Sequence, residues 1–406
     1  MNVIQMQLKE LLNSAIRGEK SRLYLNNEEE IKLLLEEAEK HKVKGLIYTG
    51  WDKDISQSGI SEEVLNEWKK STFFSGIRQS NHMKNVGFVV SEFKKEGIDA
   101  IVLKGLVIRD LYPAPDQRTM NDADILVKKE DIQNTKEVLT KLGFKEGHDS
   151  CHHVDFHSKA YGEVELHWQL VDESYFRGNT SFEDGIWDRL MDVEVGGEDT
   201  LSLNWEDLLL HSCAHMASHM ARVGFGIRYL CDLVVMVENK GNEIYWSSFM
   251  EAAKKTKVDR FVCYLFAACN KLFDMKVPSE IANYIKIDNG CLDELISSIY
   301  ESGVHGKRNL VDNFMGEVVF DKEEAAGSDF GIAKRFLGII FPPIDKMSDK
   351  YDYAKRNKVL APIAWIHHLI SGIFNKDYNF FDKVKFFMST ISIAKKKDKM
   401  LKELNL

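Results

Sequence analysis

Asp122 and Asp124 sit two residues apart in Asn121-Asp-Ala-Asp-Ile-Leu-Val127, an apolar run with the texture of a buried strand. Side chains alternate along a strand, so the two carboxylates point the same way, about 7 Å apart, while Ile125 and Val127 take the other face. Like charges side by side on a buried surface are costly unless a cation sits between them. Hard oxygen donors in such a pair suit Mg²⁺, which takes one or two protein carboxylates and fills its remaining positions with water and phosphate oxygens. The plainer reading of an isolated Asp-x-Asp is a strand end whose carboxylates face water.

Two further pieces bear on that choice. Leu103-Lys104-Gly105 closes the preceding strand and leads into a helix, and Val164-Glu165-Leu166-His167-Trp168 offers a third carboxylate on a later strand. A glycine at a strand-to-helix turn lets backbone N–H groups approach a phosphate, and the helix N-terminus favours its charge. Carboxylates on neighbouring strands form a pocket for two divalent ions, which activate an attacking oxygen and steady a leaving pyrophosphate in an in-line displacement. His167 shares a strand face with Glu165, which makes it a candidate to touch substrate.

Other histidines have plainer readings beside chemical ones. His153, Asp155 and His157 share one strand face, with Cys151, His152 and His167 close in sequence. That spacing spreads donors over about 13 Å, too far for one tetrahedral ion from that strand alone. Solvated or sheet-packing histidines, or the lining of an acceptor pocket, are the alternatives to zinc. His211, His215 and His219 recur at four-residue spacing on one helical face, which suits either packing against the sheet or a ligand pair. Arg228 and Asp232, one turn apart, read as an ion pair, with Arg228 within reach of phosphate. Gly224-Phe-Gly226 is no dinucleotide fingerprint, because no strand precedes it.

The elements that must position these residues are legible in outline. Residues 1–95 are helical in pattern, with apolar positions such as Ile31, Leu34, Leu35 and Ala38 at helical spacing. The texture then changes to a strand at 98–103, a helix at 106–112 stopped by Pro113 and Pro115, the Asp122–Val127 strand and a helix over 128–142. Strand-like pieces follow at 144–146, 153–157 and 164–170, the last two flanking the Ala160-Tyr-Gly162 turn. Helices resume at 205–220, 226–240, 245–255, 258–273 and 291–303. A looser stretch spans 303–330, and apolar helical faces return beyond it. This predicts an α+β fold: a small mixed sheet with helices on one side, flanked by helical regions. The expected domains are an N-terminal helical region 1–95, a catalytic core 96–200, a helical domain 201–303 and a basic, aromatic-rich helical region 304–406.

Gly97-Ile98 to Gly105, Arg118 to Val127, Gly143-Phe144 and Val164 to Trp168, in this order, resemble the polymerase-β-like nucleotidyltransferase superfamily. The closer resemblance is to a bacterial family of uncharacterised nucleotidyltransferases often found beside genes for modified peptides. Weaker matches occur at His41–Gly45 and from Leu208 to Asp232. The resemblance covers most of 30–235 and is specific over 98–168. It implies that Asp122 and Asp124 hold the metals that carry the triphosphate. By the same resemblance, Glu165 binds the catalytic metal and helps deprotonate the acceptor hydroxyl, and Gly105 lets the triphosphate approach. The implied cofactor is Mg²⁺, two ions, with Mn²⁺ as an alternative; the implied partners are an NTP and an acceptor peptide or small molecule. Leu106 departs from the superfamily, which places Gly or Ser after the glycine, and sixteen residues separate Gly105 from Asp122. Lys104 and Arg118 supply positive charge at the phosphates in compensation.

Composition narrows the class further. Charged residues make up 29% and hydrophobic residues 44% of the 406, ordinary for a globular protein, and the net charge of −9 argues against nucleic-acid binding over the whole surface. Residues 331–406 hold 15 Lys+Arg against 7 Asp+Glu, with aromatics such as Phe336, Phe341, Trp365, Phe380, Phe381, Phe386 and Phe387. Such a stretch reads as amphipathic helices, or as a surface for a partner, lipid or nucleic acid. The six cysteines show no CxxC spacing and read as reduced core residues. The first ten residues lack a signal-peptide apolar core, and no run reaches the roughly 18 apolar residues needed to span a bilayer, so a cytoplasmic protein is expected. The expected activity is Mg²⁺-dependent transfer of a nucleoside monophosphate from an NTP to an acceptor, releasing pyrophosphate. The alternatives are a degenerate module that binds nucleotide or peptide on the same fold, and a metal-dependent hydrolase on the histidine strand.

Overall fold

The computed structural model of the chain describes residues 1–23, 25, 27–52, 60–150, 152–171 and 183–303, and beyond these 344, 349–357, 360–373, 397 and 399–406. The expected loop beyond Gly303, most of the basic tail and Cys151 lie outside the described residues.

Period-two alternation sets the sheet. Its strands are β1 (Ala100–Val102), β2 (Asp122–Val127), β3 (Lys145–Asp149), β4 (His153–Ser158), β5 (Gly162–His167), β6 (Leu190–Val195) and β7 (Glu198–Leu203). They pair in the order β3-β4-β5-β2-β1-β7-β6, with β2–β5 and β1–β7 parallel and the other neighbours antiparallel. Ala123, Ile125, Val127, Val154, Phe156, Val164 and Leu166 are all exposed by 2% or less and form the apolar face of the central strands. The residues between them, Asp122, Asp124, Asp155, Glu163 and Glu165, therefore share the opposite face. Burying that apolar row stabilises the sheet and leaves the carboxylates no choice of side; a one-residue slip would reverse both.

The sequence reading puts no strand between Leu170 and Trp205, and β6 and β7 fill that gap. Gly196 and Gly197, at φ +62° and +91°, make the two-residue turn between Val195 and Glu198. A hairpin turn with positive φ at both central positions matches the twist of the strands, and Gly adopts it without Cβ strain. The Gly-Gly step was the available signal. It was hidden because the edge strand β6 and its neighbour β7 are only partly buried over most of their length and alternate weakly.

Helices precede, interrupt and follow the strands. α1 (Val3–Ala15) begins with a capping box between Asn2 and Gln5, and α2 (Glu28–Lys40) with Asn27 accepting from the Glu30 amide. After α3 (Lys44–Gly50) comes α4 (Glu62–Lys95), 34 residues capped by Ser61 and ended by Gly97 at φ +72°. α4 packs against β1, β6 and β7, and against α6 (Ile132–Lys141), which follows the single-turn α5 (Gly105–Ile108). The helix expected over 106–112 is thus one α-turn followed by a 3₁₀ turn, Arg109–Leu111. α7 (Trp205–Arg222), α8 (Arg228–Lys240), α9 (Trp246–Lys255), α10 (Asp259–Phe273) and α12 (Asn289–Ser302) follow the expected positions closely, and the single turn α11 (Ser279–Ala282) adds to them. Cys213, Cys231, Cys263, Cys269 and Cys291 are buried among them as thiols.

The chain divides into two compact units. One comprises Met1–Met220, Gly224–Gly306 and Leu404–Leu406; the other comprises Ala221–Val223 and Lys307–Glu403. In the second, α13 (Asp352–Arg356) and α14 (Ala361–Ile373) surround a small core of Ile344, Tyr351, Ala354 and Ala364. Among the described residues, no helix is long and apolar enough to cross a membrane.

Candidate active site

Register brings the acidic residues together. β2 and β5 run parallel with Asp124 beside Glu165 and Asp122 beside Glu163, and antiparallel β4 sets Asp155 next to Glu165 and His153 next to His167. One oxygen each from Asp124 and Glu165 and one His167 nitrogen lie within 4.8 Å of one another. His167 Nε2 stands 3.0 Å from Asp124 Oδ1 and 3.5 Å from Glu165 Oε2. Asp122 shares the face but lies outside that 4.8 Å group.

Lys104 reaches into the same place. It follows β1 at φ +49° and ψ −117°, a positive-φ state that a non-glycine residue holds at a cost of about 1–3 kcal/mol. From that turn its Nζ contacts Asp124 Oδ1 at 2.8 Å. Burial works against the Lys104 charge, but Asp124, Glu165 and Asp122 outweigh it and lift its pKa above the ordinary lysine value. Burial also works against the Asp124 charge, yet Lys104 and His167 hold its carboxyl well below the usual range. Glu165 goes the other way: burial raises its pKa, the His167 contact only partly offsets this, and the Asp124 charge adds to it. His167 is disfavoured as a cation by burial, but its bonds to Asp124 and Glu165 prevail and raise its pKa.

Gly105 and Arg118 have a different geometry from the one expected at a phosphate. A Cβ on Gly105 would fall 2.2 Å from Arg118 Nη1, so the glycine makes room for the guanidinium. That guanidinium is itself held by Asp232 of α8, with Nε to Oδ1 at 3.1 Å and Nη2 to Oδ2 at 2.6 Å, while Tyr112 donates its hydroxyl to Oδ1 at 2.8 Å. The expected Arg228–Asp232 pair gives way to this one: Arg228 donates to the Thr119 carbonyl, and Asp232 bonds a partner 114 residues upstream. The amides of Leu106, Val107 and Ile108 are engaged by the carbonyls of Leu103 and Lys104, and Leu106 is buried. A helix of one turn carries little dipole, so the charge near Asp124 comes from Lys104 more than from the start of α5. Because Asp232 pins the arginine, Gly105→Ala is expected to lower stability by about 1–3 kcal/mol in denaturant unfolding. A neutral result would mean that the guanidinium moves aside freely.

Sequence reasoning missed one neighbour, His82, and took two others, His211 and His215, no further than packing against the sheet or a ligand pair. His82 of α4 lies beside Asp122; burial lowers its pKa while the Asp122 backbone and carboxylate act against this. His211 and His215 of α7 lie within electrostatic reach of Lys104 and Asp124, and burial foremost, with Lys104 next, pushes both well below the ordinary histidine range. Neither ring nitrogen of His211 has a hydrogen bond. The four-residue spacing on α7 was visible, but no local pattern says that this face meets the acidic strands. His157 shares the strand face of His153 and Asp155, and it lies 3.5 Å from Glu163.

A mixed α+β core that presents carboxylates from adjacent strands beside a lysine-bearing turn places the chain among the nucleotidyltransferases. More particularly, it belongs to the uncharacterised nucleotidyltransferase family, whose profile matches residues 27–274. No curated protein matches this chain. Among solved structures, the antibiotic-resistance factor ANT(2'')-Ia is similar at 11% identity and a TM-score of 0.33, over 48% of this chain and 95% of that one. An antigenic nucleotidyltransferase-like protein from Paracoccidioides brasiliensis is similar at 14% identity and a TM-score of 0.32, over 50% and 98%.

Proposed function

We propose that this enzyme transfers a nucleoside monophosphate from an NTP to an acceptor hydroxyl or phosphate and releases pyrophosphate. In this reading Asp122, Asp124 and Glu165 hold the divalent ions, Mg²⁺ or Mn²⁺. The observation that carries it is the side-by-side register of Asp124 and Glu165, with Asp122 on the same face. The donors fit such ions: hard carboxylate oxygens, on a surface where the Lys104 ammonium already sits against Asp124. Bound there, a divalent ion would neutralise triphosphate charge and make the α-phosphorus more open to attack.

The chain's own groups do the remainder. Lys104 exchanges Asp124 for a phosphate oxygen of the NTP, a move that its buried, persistently charged ammonium makes favourable in a low-dielectric site. Glu165, whose pKa burial raises, accepts the proton of the acceptor hydroxyl. His167 orients Asp124 through Nε2 and faces the acceptor. Arg118, tied to Asp232, braces the Gly105 turn and through it the position of Lys104. The acceptor is a peptide or a small molecule, and the setting is the cytoplasm.

Incubation with α-³²P- and γ-³²P-labelled NTPs, Mg²⁺ and peptide and small-molecule fractions tests this reading. Transfer of the α label alone, with pyrophosphate release, is the expected result. Transfer of the γ label would mean a kinase. Nucleotide binding without transfer of either label would leave a binding module, in which the Lys104–Asp124 pair closes the acidic face.

A further inference from the structure

We propose that His152, His153 and His167 form a second metal site, for a borderline transition ion of which Zn²⁺ is the natural candidate, joined to the carboxylate group through His167. This inference does not depend on nucleotidyl transfer. One ring nitrogen from each of the three lies within 4.8 Å of the other two. The antiparallel pairing of β4 and β5 sets His153 directly beside His167, and the Trp168 amide donates to the His152 carbonyl at 3.1 Å, which fixes the residue just outside β4. The distance objection that applies to His153, Asp155 and His157 along one strand therefore does not apply here, because the donors come from two strands and a flanking turn.

The contact between His152 and His153 has the dimensions of a shared ion. His152 Nε2 and His153 Nδ1 are 3.1 Å apart. Two nitrogens each about 2.0–2.1 Å from one tetrahedral ion stand roughly 3.3 Å from one another. Ser150 Oγ, 2.9 Å from the same His153 nitrogen, has the His153 carbonyl as an acceptor at 2.9 Å, so the Nε2–H tautomer of His153 presents its Nδ1 lone pair to an ion. His167 Nδ1 is buried and has no hydrogen bond, although the residue is only 4% exposed.

The carboxylate partners of two of the rings add a second mark. Metal-bound histidines characteristically present their other nitrogen to a carboxylate, which fixes the tautomer and raises ligand basicity. His167 Nε2 faces Asp124 at 3.0 Å, and His153 Nε2 faces Asp155 Oδ1 at 3.4 Å. Three imidazoles leave one tetrahedral position open, as in zinc sites that bind water or substrate. Donor chemistry then separates the two groups: carboxylate oxygens favour Mg²⁺ or Mn²⁺, and imidazole nitrogens favour Zn²⁺ or its tetrahedral substitute Co²⁺.

Full-length protein, stripped by chelation and returned to excess Mg²⁺, is titrated with Co²⁺ and then with Zn²⁺. The expected result is one Co²⁺ per chain with the intense visible absorption of tetrahedral coordination, displaced by Zn²⁺. Loss of an outer carboxylate typically costs about 10–100-fold in affinity. Asp155→Asn should therefore weaken Zn²⁺ binding about 10-fold, and the His152→Ala, His153→Ala double variant by more than about 100-fold. Should that double variant fail to fold by circular dichroism, His152→Cys decides, because a retained site acquires a thiolate-to-cobalt charge-transfer band. Absence of tetrahedral Co²⁺ absorption in the wild type, undiminished Zn²⁺ binding in a folded double variant, or no such band in His152→Cys would each overturn the site and leave a metal-free histidine cluster.

Discussion

Asp124→Asn is expected to leave a folded protein whose transfer rate falls by about 10³-fold or more, roughly 4 kcal/mol of transition-state stabilisation. The substitution keeps the shape of the side chain and removes its charge. In the native protein Asp124 Oδ1 meets both Lys104 Nζ at 2.8 Å and His167 Nε2 at 3.0 Å. An amide in that place loses the ion pair and weakens the His167 bond, and it removes one of the anionic donors that the proposed ions require. Glu165→Gln and Asp122→Asn should fall in the same direction. Single-turnover transfer of α label, with NTP affinity measured separately and the fold followed by circular dichroism, provides the comparison. If Asp124→Asn stays within tenfold of wild type while Asp122→Asn is inactive, Asp124 serves only as the partner of Lys104 and the carboxylate assignment fails.

The acidic face was legible because period two is a rule about one strand. Asp122, Asp124, Glu165 and His167 each alternate with residues that had to be buried, so the face of each was set before any pairing was known. Register is a relation between strands, and no local pattern encodes it. That is why Asp124 could be matched with Glu165 only through family resemblance, and why the proximity of His152, His153 and His167 could not be foreseen. Lys104 shows a second kind of limit. Its charge was visible, but its positive-φ turn, which brings the ammonium onto Asp124, is a backbone state that non-glycine residues rarely adopt. The helices were placed well because their apolar stripes repeat locally, whereas what each polar face meets across the core was not readable from any one of them.

Arg118 and Asp232 make the point sharply. One-turn spacing favoured Arg228 as the partner of Asp232, yet a pair at that spacing on a helix surface is worth only about 0.2–0.5 kcal/mol. In the interior the terms are larger. Arg118 and Asp232 are 5% and 4% exposed, and the two forked bonds plus the Tyr112 hydroxyl satisfy the carboxylate on more than one side. Burial opposes the Arg118 charge, but Asp232 more than compensates and raises its pKa above the ordinary guanidinium value. Burial foremost, with Asp232 next, keeps the Tyr112 phenol protonated far beyond neutral pH, so it remains a donor.

Asp232→Ala is therefore expected to lower the unfolding free energy by about 3–5 kcal/mol, because it strands a buried guanidinium that cannot lose its proton. The effect is mostly the penalty of the orphan and only partly the worth of the pair. A double variant, Arg118→Met with Asp232→Leu, should accordingly regain most of the loss, since buried ion pairs replaced by apolar residues of similar volume are often neutral or better. Urea unfolding of the two single variants and the double variant closes the cycle. A loss below about 1 kcal/mol in Asp232→Ala would show that water reaches the pair and that it behaves as a surface bridge. NTP affinity in the stable double variant then separates the two roles open to Arg118. If the guanidinium only braces the Gly105 turn, affinity stays near wild type while the stability cycle shows strong coupling. If it releases Asp232 to grip a phosphate, affinity falls although stability is restored, and the long reach from Gly105 to α8 becomes part of nucleotide binding itself.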